Sequence, residues 1–244
     1  MATSESVKVS IVIPAYNEAE RIGDTLLRIS RHLKNAPFET ETLVVDDGST
    51  DDTTAVVGKA NYAGLRLIRN DMNRGKGYSV RSGVLAATGD YVLFSDADLS
   101  TPINELNKLL HAALNENADV VVGSRGIDNS YIEKHQSMVR ESGGKLFNVM
   151  VRTLLGLKIR DTQCGFKLFR REKVQSAFQK QTIHGFGFDP ELLFLMSRQG
   201  LKIVEVPVLW SHAEGSKIRF LRDGTRMFTD LLRIRWNSLT GKYS

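Results

Sequence analysis

Two carboxylates spaced i and i+2 close the apolar run YVLFS: Asp96-Ala97-Asp98. The adjoining sequence supplies no Lys or Arg to neutralise them. Their mutual repulsion therefore requires a cation, and hard carboxylate oxygens suit Mg²⁺ or Mn²⁺. Mg²⁺ commonly bridges one or two carboxylates to the phosphates of a substrate, so the pair points to a phosphate-bearing ligand. Two more polar clusters end apolar runs, Pro14-Ala15-Tyr16-Asn17-Glu18 and Asp46-Asp47-Gly48-Ser49-Thr50. Taken singly, each has a plain structural reading: Pro14 and Asn17 turn the chain, and Asp47, Ser49 or Thr50 cap the helix that follows.

Alternating strands and helices must position these clusters. Val7–Pro14, Thr40–Asp46, Leu65–Arg69, Tyr91–Ser95 and Asp119–Gly123 read as strands, rich in Val, Ile and Leu with little alternation. Helices are expected over Glu20–Leu33, Thr50–Ala60, Gly77–Ala87 and Ile103–Leu114. Near-continuous apolar strands separated by helices indicate a parallel sheet covered on both faces, which binds ligands outside the carboxyl ends of its strands. All three polar clusters lie at such ends. Further on, Ser137–Leu155 and Pro190–Gln199 read as helices and Thr162–Phe169 and Leu201–Leu209 as strands. Asn73-Arg74-Gly75-Lys76-Gly77 lacks the spacing of a phosphate loop and reads as a glycine-eased helix start on the donor side. His184 and His212 stand alone, without a second His at metal-ligand spacing.

In this order and at these spacings the three clusters resemble the inverting family 2 glycosyltransferases. Gly123-Ser124-Arg125, Asp161-Thr162-Gln163-Cys164-Gly165-Phe166-Lys167-Leu168-Phe169 and Gly187-Phe188-Asp189-Pro190-Glu191 resemble its polyprenyl-phosphate branch, the dolichyl-phosphate β-glucosyltransferases and dolichol-phosphate mannose synthases. The resemblance covers nearly the whole chain. It implies an α/β, Rossmann-like fold of GT-A type, with a mostly parallel sheet and helices on both faces. One domain over 1–244 is expected, with 1–122 for donor nucleotide and metal and 123–244 for the acceptor. The implied reaction is metal-dependent, inverting transfer of a hexose from a nucleotide diphosphate sugar to a polyprenyl or dolichyl phosphate. UDP-glucose is the favoured donor and GDP-mannose the second.

Residue by residue, the resemblance implies that Pro14, Tyr16 and Glu18 line the nucleotide pocket, with Val45 and Asp47 on the base. Asp96 and Ala97 would lie against the nucleoside, and Asp98, together with Asp96, would hold Mg²⁺ or Mn²⁺. Where the mannose synthases carry a metal-binding Gln, this chain has Ser100. Arg125 and Arg140 match positions that hold the lipid phosphate, and Lys217 a basic residue near both phosphates. Asp161 and Asp189 are candidates for sugar-hydroxyl contacts, or else a turn cap and a helix N-cap. An acceptor phosphate monoester, with a second pKa of about 6, is largely ionised at neutral pH and needs no assigned base.

Charge and composition agree with these expectations. Residues 1–122 carry 12 Lys and Arg against 17 Asp and Glu, a balance of −5, and residues 123–244 carry 21 against 11, a balance of +10. An acidic half suits a metal cation and a basic half suits phosphate or an anionic membrane surface. Lys217–Trp236 is basic and amphipathic, so peripheral membrane contact is expected. Cys164 is the only cysteine, which excludes an internal disulfide and fits a cytoplasmic protein. No run approaches the roughly 20 apolar residues of a membrane span, and MATSESVKVS has no apolar signal core. A nucleic-acid module is the rival for a basic chain, but the basic residues are interleaved with acidic ones and no such motif occurs. A same-fold enzyme with a saccharide acceptor is the other rival, and it would need an essential carboxylate base.

Overall fold

The computed structural model describes residues 7–60, 62–125, 132–134, 138–211 and 220–243, with backbone alone at 132–134, 138–142, 145 and 220–223. Strands β1 (Lys8–Ala15), β2 (Glu39–Asp46), β3 (Leu65–Arg69), β4 (Tyr91–Ser95) and β5 (Val120–Ser124) alternate with helices. These helices are α1 (Ile22–Leu33), α2 (Thr53–Lys59), α3 (Lys76–Ala86) and α4 (Leu106–Asn115). Then follow β6 (Ile132–Lys134), α5 (Met138–Leu155), β7 (Phe166–Arg170), α6 (Arg171–Lys180) and α7 (Phe188–Arg198). β8 (Ile203–Pro207), β9 (Trp210–Ser211) and α8 (Phe220–Leu239) complete the order.

Seven strands form one sheet in the order β3-β2-β1-β4-β7-β5-β8, and β6 pairs with β9 apart from it. The sheet is mostly parallel, as expected, with β7 running antiparallel to both β4 and β5. β7 also begins later than expected. Thr162 bonds Asn148 Oδ1 through its N–H (3.2 Å) and hydroxyl (2.8 Å), which holds residues 162–165 in a turn. Helix α6 has no counterpart in the sequence expectations, because only Val174, Ala177 and Phe178 are buried among its charged residues.

Alternation along the strands sends side chains into two layers. Val12, Val45 and Phe94 pack with Val80 and Val84 of α3 and Phe188 of α7. Ile11, Ile13, Val44 and Leu93 pack with Ile22, Leu26 and Ile29 of α1 and Leu106 and Leu109 of α4. The i, i+4, i+7 spacing of the α1 trio places one apolar stripe on the sheet. Phe94 and Phe188 are fully buried and meet edge to face with centroids 5.8 Å apart.

The order 3-2-1-4 places a topological switch between β1 and β4, where a crevice opens at the carboxyl ends. β1 pairs with β2 out to Ala15 but with β4 only as far as Val12 opposite Phe94. Pro14, with no N–H to donate, does not extend that pairing, and the two strands part below the crevice.

Candidate active site

The loops after β1 and β2 are tied to each other before any ligand arrives. Asn17, at a left-handed φ of 52°, gives its N–H to Ser49 Oγ (2.8 Å) and accepts the N–H of Thr50 at Oδ1 (2.8 Å). Glu18 N–H donates to Thr53 Oγ1 at 2.7 Å. Pro14 is buried, whereas Tyr16 is exposed on the loop and Glu18 pairs with Arg21 at 2.7 Å. Val45 is wholly buried with its side chain toward Gly83, so it supports the site through its strand. Asp47 is buried too. Its Oδ1 accepts from Asn70 Nδ2 (2.8 Å) and Arg74 N–H (3.1 Å), and its Oδ2 from Gly75 N–H (2.8 Å). Both carboxylate oxygens thus shape the 70–75 loop that leads into α3.

Asp96 and Asp98 follow β4 directly, as expected, but Asp96 is not without a cation. Lys76, the first residue of α3, places Nζ 2.6 Å from Asp96 Oδ1. Twenty residues separate the two in sequence, and the adjacency of β1 and β4 closes that distance. At 2.6 Å the contact is a charge-assisted ion pair of ammonium and carboxylate, with Oδ1 buried. Asp96 N–H donates to Gly165 O at 3.1 Å, and a side chain at 165 would overlap the Asp96 carboxylate and force it to move. Asp98 is half-buried, accepts the Ser100 N–H at 3.0 Å and makes no ion pair among the described residues. Leu99 between them sits at φ 47°, a left-handed turn that costs a non-glycine residue about 1 kcal/mol or more. Ala97 is buried, and its carbonyl accepts from Thr25 Oγ1 at 2.6 Å.

A second ion pair lies beneath the first. Lys167, buried in β7, bonds Asp189 Oδ1 at 2.5 Å and Cys164 O at 2.6 Å. Burial pushes the Asp189 carboxyl above its ordinary range, only partly countered by Lys167 and Lys76. The Nζ atoms of Lys76 and Lys167 lie 5.3 and 5.7 Å from the centroid of the Phe94 ring. Burial raises the Cys164 thiol to about 11, so it is no nucleophile at neutral pH.

Arg125, at the end of β5, grips Asp161 with Nε and Nη2 and lies 5.2 Å from the Trp210 ring centroid. Burial by itself would raise the Asp161 carboxyl, but the charge and bonds of Arg125 override it and hold the carboxyl below its usual value. Asp161 and Asp189, both candidates for sugar contacts, are therefore each engaged by a cation. Among the described residues, the four carboxylates Asp96, Asp98, Asp161 and Asp189 stand with three cations, Lys76, Lys167 and Arg125. Arg140 lies on α5, with its side chain outside the described residues, and Lys217 lies outside them altogether.

Lys76, Lys167 and Gly165 belong to this site without having been singled out by residue type. Lys76 had a signal in the Gly75-Lys76-Gly77 tripeptide, and Lys167 and Gly165 in the run from Asp161 to Phe169.

Comparison with known proteins agrees with this geometry. The family model of glycosyl transferase family 2 matches residues 10–178. The chain is 34% identical over 251 residues to the dolichyl-phosphate β-glucosyltransferase of Dictyostelium discoideum, covering 97% of this chain and 76% of that protein. It is 36% identical over 259 residues to that of Saccharomyces cerevisiae, covering 98% and 77%, and 34% identical to that of Homo sapiens, covering 98% and 78%. Among solved structures, glucosyl-3-phosphoglycerate synthase of Mycobacterium tuberculosis, in complex with Mn²⁺, UDP and glucosyl-3-phosphoglycerate, superposes with a TM-score of 0.69. That match is 23% identical and covers 93% of this chain and 78% of the other, which shows a common GT-A fold. With paired carboxylates at the switch point of such a sheet, the chain is a glycosyltransferase and belongs to glycosyl transferase family 2, among relatives named dolichyl-phosphate β-glucosyltransferase.

Proposed function

We propose that this glycosyltransferase moves glucose from UDP-glucose to a polyprenyl or dolichyl phosphate, with inversion at the sugar carbon and Mg²⁺ or Mn²⁺ on the donor diphosphate. The observation that carries the reading is Asp98, a half-buried carboxylate at the switch point held, among the described residues, by its own turn, with Asp96 two residues before it. The names of the relatives supply glucose and dolichyl phosphate.

The residues fit a divalent ion of the kind that shares its shell with substrate. Among the described residues no group of three His, Cys, Asp or Glu gathers to hold a metal. Asp98 and Asp96 would supply the protein oxygens, and the donor diphosphate and water the rest. Bound there, such an ion would neutralise the charge that grows on the nucleoside diphosphate as the sugar bond breaks. Tyr16, exposed above the crevice, and Asp96 and Ala97 at the end of β4 would line the nucleoside, with Pro14, Glu18, Val45 and Asp47 setting its walls.

On the acceptor side, Asp161 orients Arg125 and leaves Nη1 outside the fork for a phosphate oxygen. Arg140 and Lys217 are proposed as further cations for that phosphate. An ionised phosphate attacks without losing a proton, so orientation and desolvation are what the site must supply. A hydroxyl acceptor would need a base, and both candidate carboxylates are engaged by Arg125 and Lys167.

Contact with an anionic membrane surface completes the proposal. No helix among the described residues is long and apolar enough to cross a membrane. Helix α8 buries Met227, Leu231 and Ile234, while Phe228, Leu232, Trp236 and Leu239 form an exposed apolar stripe at spacings of four, four and three. Arg226, Arg233 and Arg235 are exposed on the same helix. Helix α5, packed beside α8, exposes Leu146 and Val149. An apolar stripe beside cations suits the headgroup layer of an anionic leaflet.

A thermal-shift screen tests the donor. UDP-glucose with Mn²⁺ is expected to raise Tm by mass action, and more than GDP-mannose does. Equal or greater stabilisation by GDP-mannose would reassign the donor, and no shift with any nucleotide sugar would remove the reading.

A further inference from the structure

Among the described cations of the site, Lys76 is the one held to its partner by a single contact. Its place is set by the entry to α3: Gly75 turns the chain at φ 102° against the carbonyl of His184, and Gly77 N–H donates to that oxygen at 2.8 Å. The backbone of residue 76 is thereby clamped against the segment leading into α7, and its side chain reaches Asp96 across the switch point. Lys167 is buried and bonded to both Asp189 and Cys164 O. Lys76 differs: its side chain is 26% exposed, and its one ion pair among the described residues is with Asp96 Oδ1. It also feels the charges of Asp189 and Asp98 and lies near the Phe94 ring. A partly exposed cation held by a single partner can exchange it.

We propose that Lys76 occupies the cation position on Asp96 while the donor is absent, and moves from Asp96 to the donor's diphosphate oxygens when a divalent ion enters with the nucleotide. The inference rests on the metal-assisted reading above and adds a coupling to it. An ion arriving alone must displace Lys76 and leave it without a matched partner. An ion arriving with a diphosphate gives Lys76 a new anion as it takes the old one. Metal and nucleotide should then bind cooperatively, and Lys76 should exclude free metal from the empty site.

Mn²⁺ titrations followed by electron paramagnetic resonance, with and without UDP, test this on the full chain. K76Q removes the competing ammonium and is expected to bind Mn²⁺ about tenfold more tightly than wild type without UDP, while UDP strengthens Mn²⁺ binding less than in wild type. K76R, whose planar fork can hold Asp96 through two hydrogen bonds, is expected to bind Mn²⁺ more weakly than wild type without UDP. If K76Q binds nucleotide-free Mn²⁺ no better than wild type, the exchange is overturned. If K76Q does not fold, K76R decides, and nucleotide-free Mn²⁺ binding equal to or tighter than wild type overturns the exchange. Mn²⁺ binding to none of these proteins, even with UDP, overturns the metal-assisted reading and this inference together.

Discussion

Arg125 and Asp161 form a fork: Nε meets Oδ2 at 2.7 Å, Nη2 meets Oδ1 at 2.9 Å, and the Arg125 backbone N–H adds a third bond to Oδ2 at 3.0 Å. Glu205 of β8 steadies the other side by accepting the N–H groups of Arg160 (2.9 Å) and Asp161 (3.0 Å). Asp161 is thus a positioning residue for Arg125. D161A leaves a partly buried guanidinium unpaired and should cost about 1 to 3 kcal/mol of stability. The conservative D161N is expected to raise KM for polyprenyl phosphate by about tenfold, the loss of roughly one oriented charge-assisted bond, with KM for the donor unchanged. Steady-state kinetics with each substrate varied in turn checks this. A collapse of kcat with acceptor KM intact would make Asp161 a group acting on the sugar or on an acceptor proton.

Gly165 is expected to be intolerant for a local reason. G165A places a methyl group into the Asp96 carboxylate, a short side chain that must rotate away from Lys76 to make room. Donor turnover should fall at least tenfold while Tm changes little, because the clash can be relieved by one side chain at the rim of the crevice. Retention of full activity in G165A would mean that the orientation of Asp96 is immaterial.

Glu41 governs acid stability at the other end of the sheet. Its carboxylate accepts from Ser10 Oγ (2.6 Å), Thr88 N–H (2.6 Å) and Thr88 Oγ1 (2.8 Å), and Arg66 lies 3.1 Å away. Burial opposes ionisation, but these bonds together lower the carboxyl from 4.5 to about 2. A depressed carboxyl contributes stability that is present above its unfolded value and is lost as pH falls through the folded one. Wild-type Tm should therefore drop between about pH 5 and pH 2 partly through Glu41. E41Q should have a lower Tm at pH 7 and a shallower slope across that window, as scanning calorimetry would show.

Membrane contact is expected to depend on the exposed stripe of α8. Trp236 and Leu239 are 68% and 71% exposed, so W236S and L239S should leave Tm nearly unchanged. Both should weaken co-sedimentation with anionic vesicles, and high salt should release the wild-type protein. Equal binding of wild type and the double variant would move the contact elsewhere.

Most of the donor half of the fold is legible in the sequence because β1, β2, β4 and β5 are buried over most of their length and end at turn residues, while the edge strand β3 is partly exposed. Leu65–Arg69 and Tyr91–Ser95 begin and end where their composition changes. The polar clusters are legible for the same reason, since a carboxylate that directly follows a buried strand has few structural uses. What escapes the sequence is whatever depends on strand order. β7 enters antiparallel between β4 and β5, and no local pattern in Phe166–Arg170 announces its direction. Lys76 reaches Asp96, and Lys167 reaches Asp189, only once the sheet and α7 are assembled. The residues around Asp96 therefore look free of positive charge along the chain while two ammonium groups lie beside them in space. Arg125 is matched to a lipid-phosphate position in the sequence, but its fork with Asp161 exists only once the fold brings the two together.

The most direct measurement is the rate at which labelled glucose passes from UDP-glucose to a polyprenyl phosphate in the presence of Mn²⁺, for wild type, D98N and the D96N/D98N double variant. The account predicts a β-linked lipid product from wild type, a loss of about a hundredfold or more in D98N, and no detectable product from the double variant. Lipid glucosylation by the double variant at the wild-type rate, or label carried by wild type to a saccharide hydroxyl and never to the lipid phosphate, would contradict it.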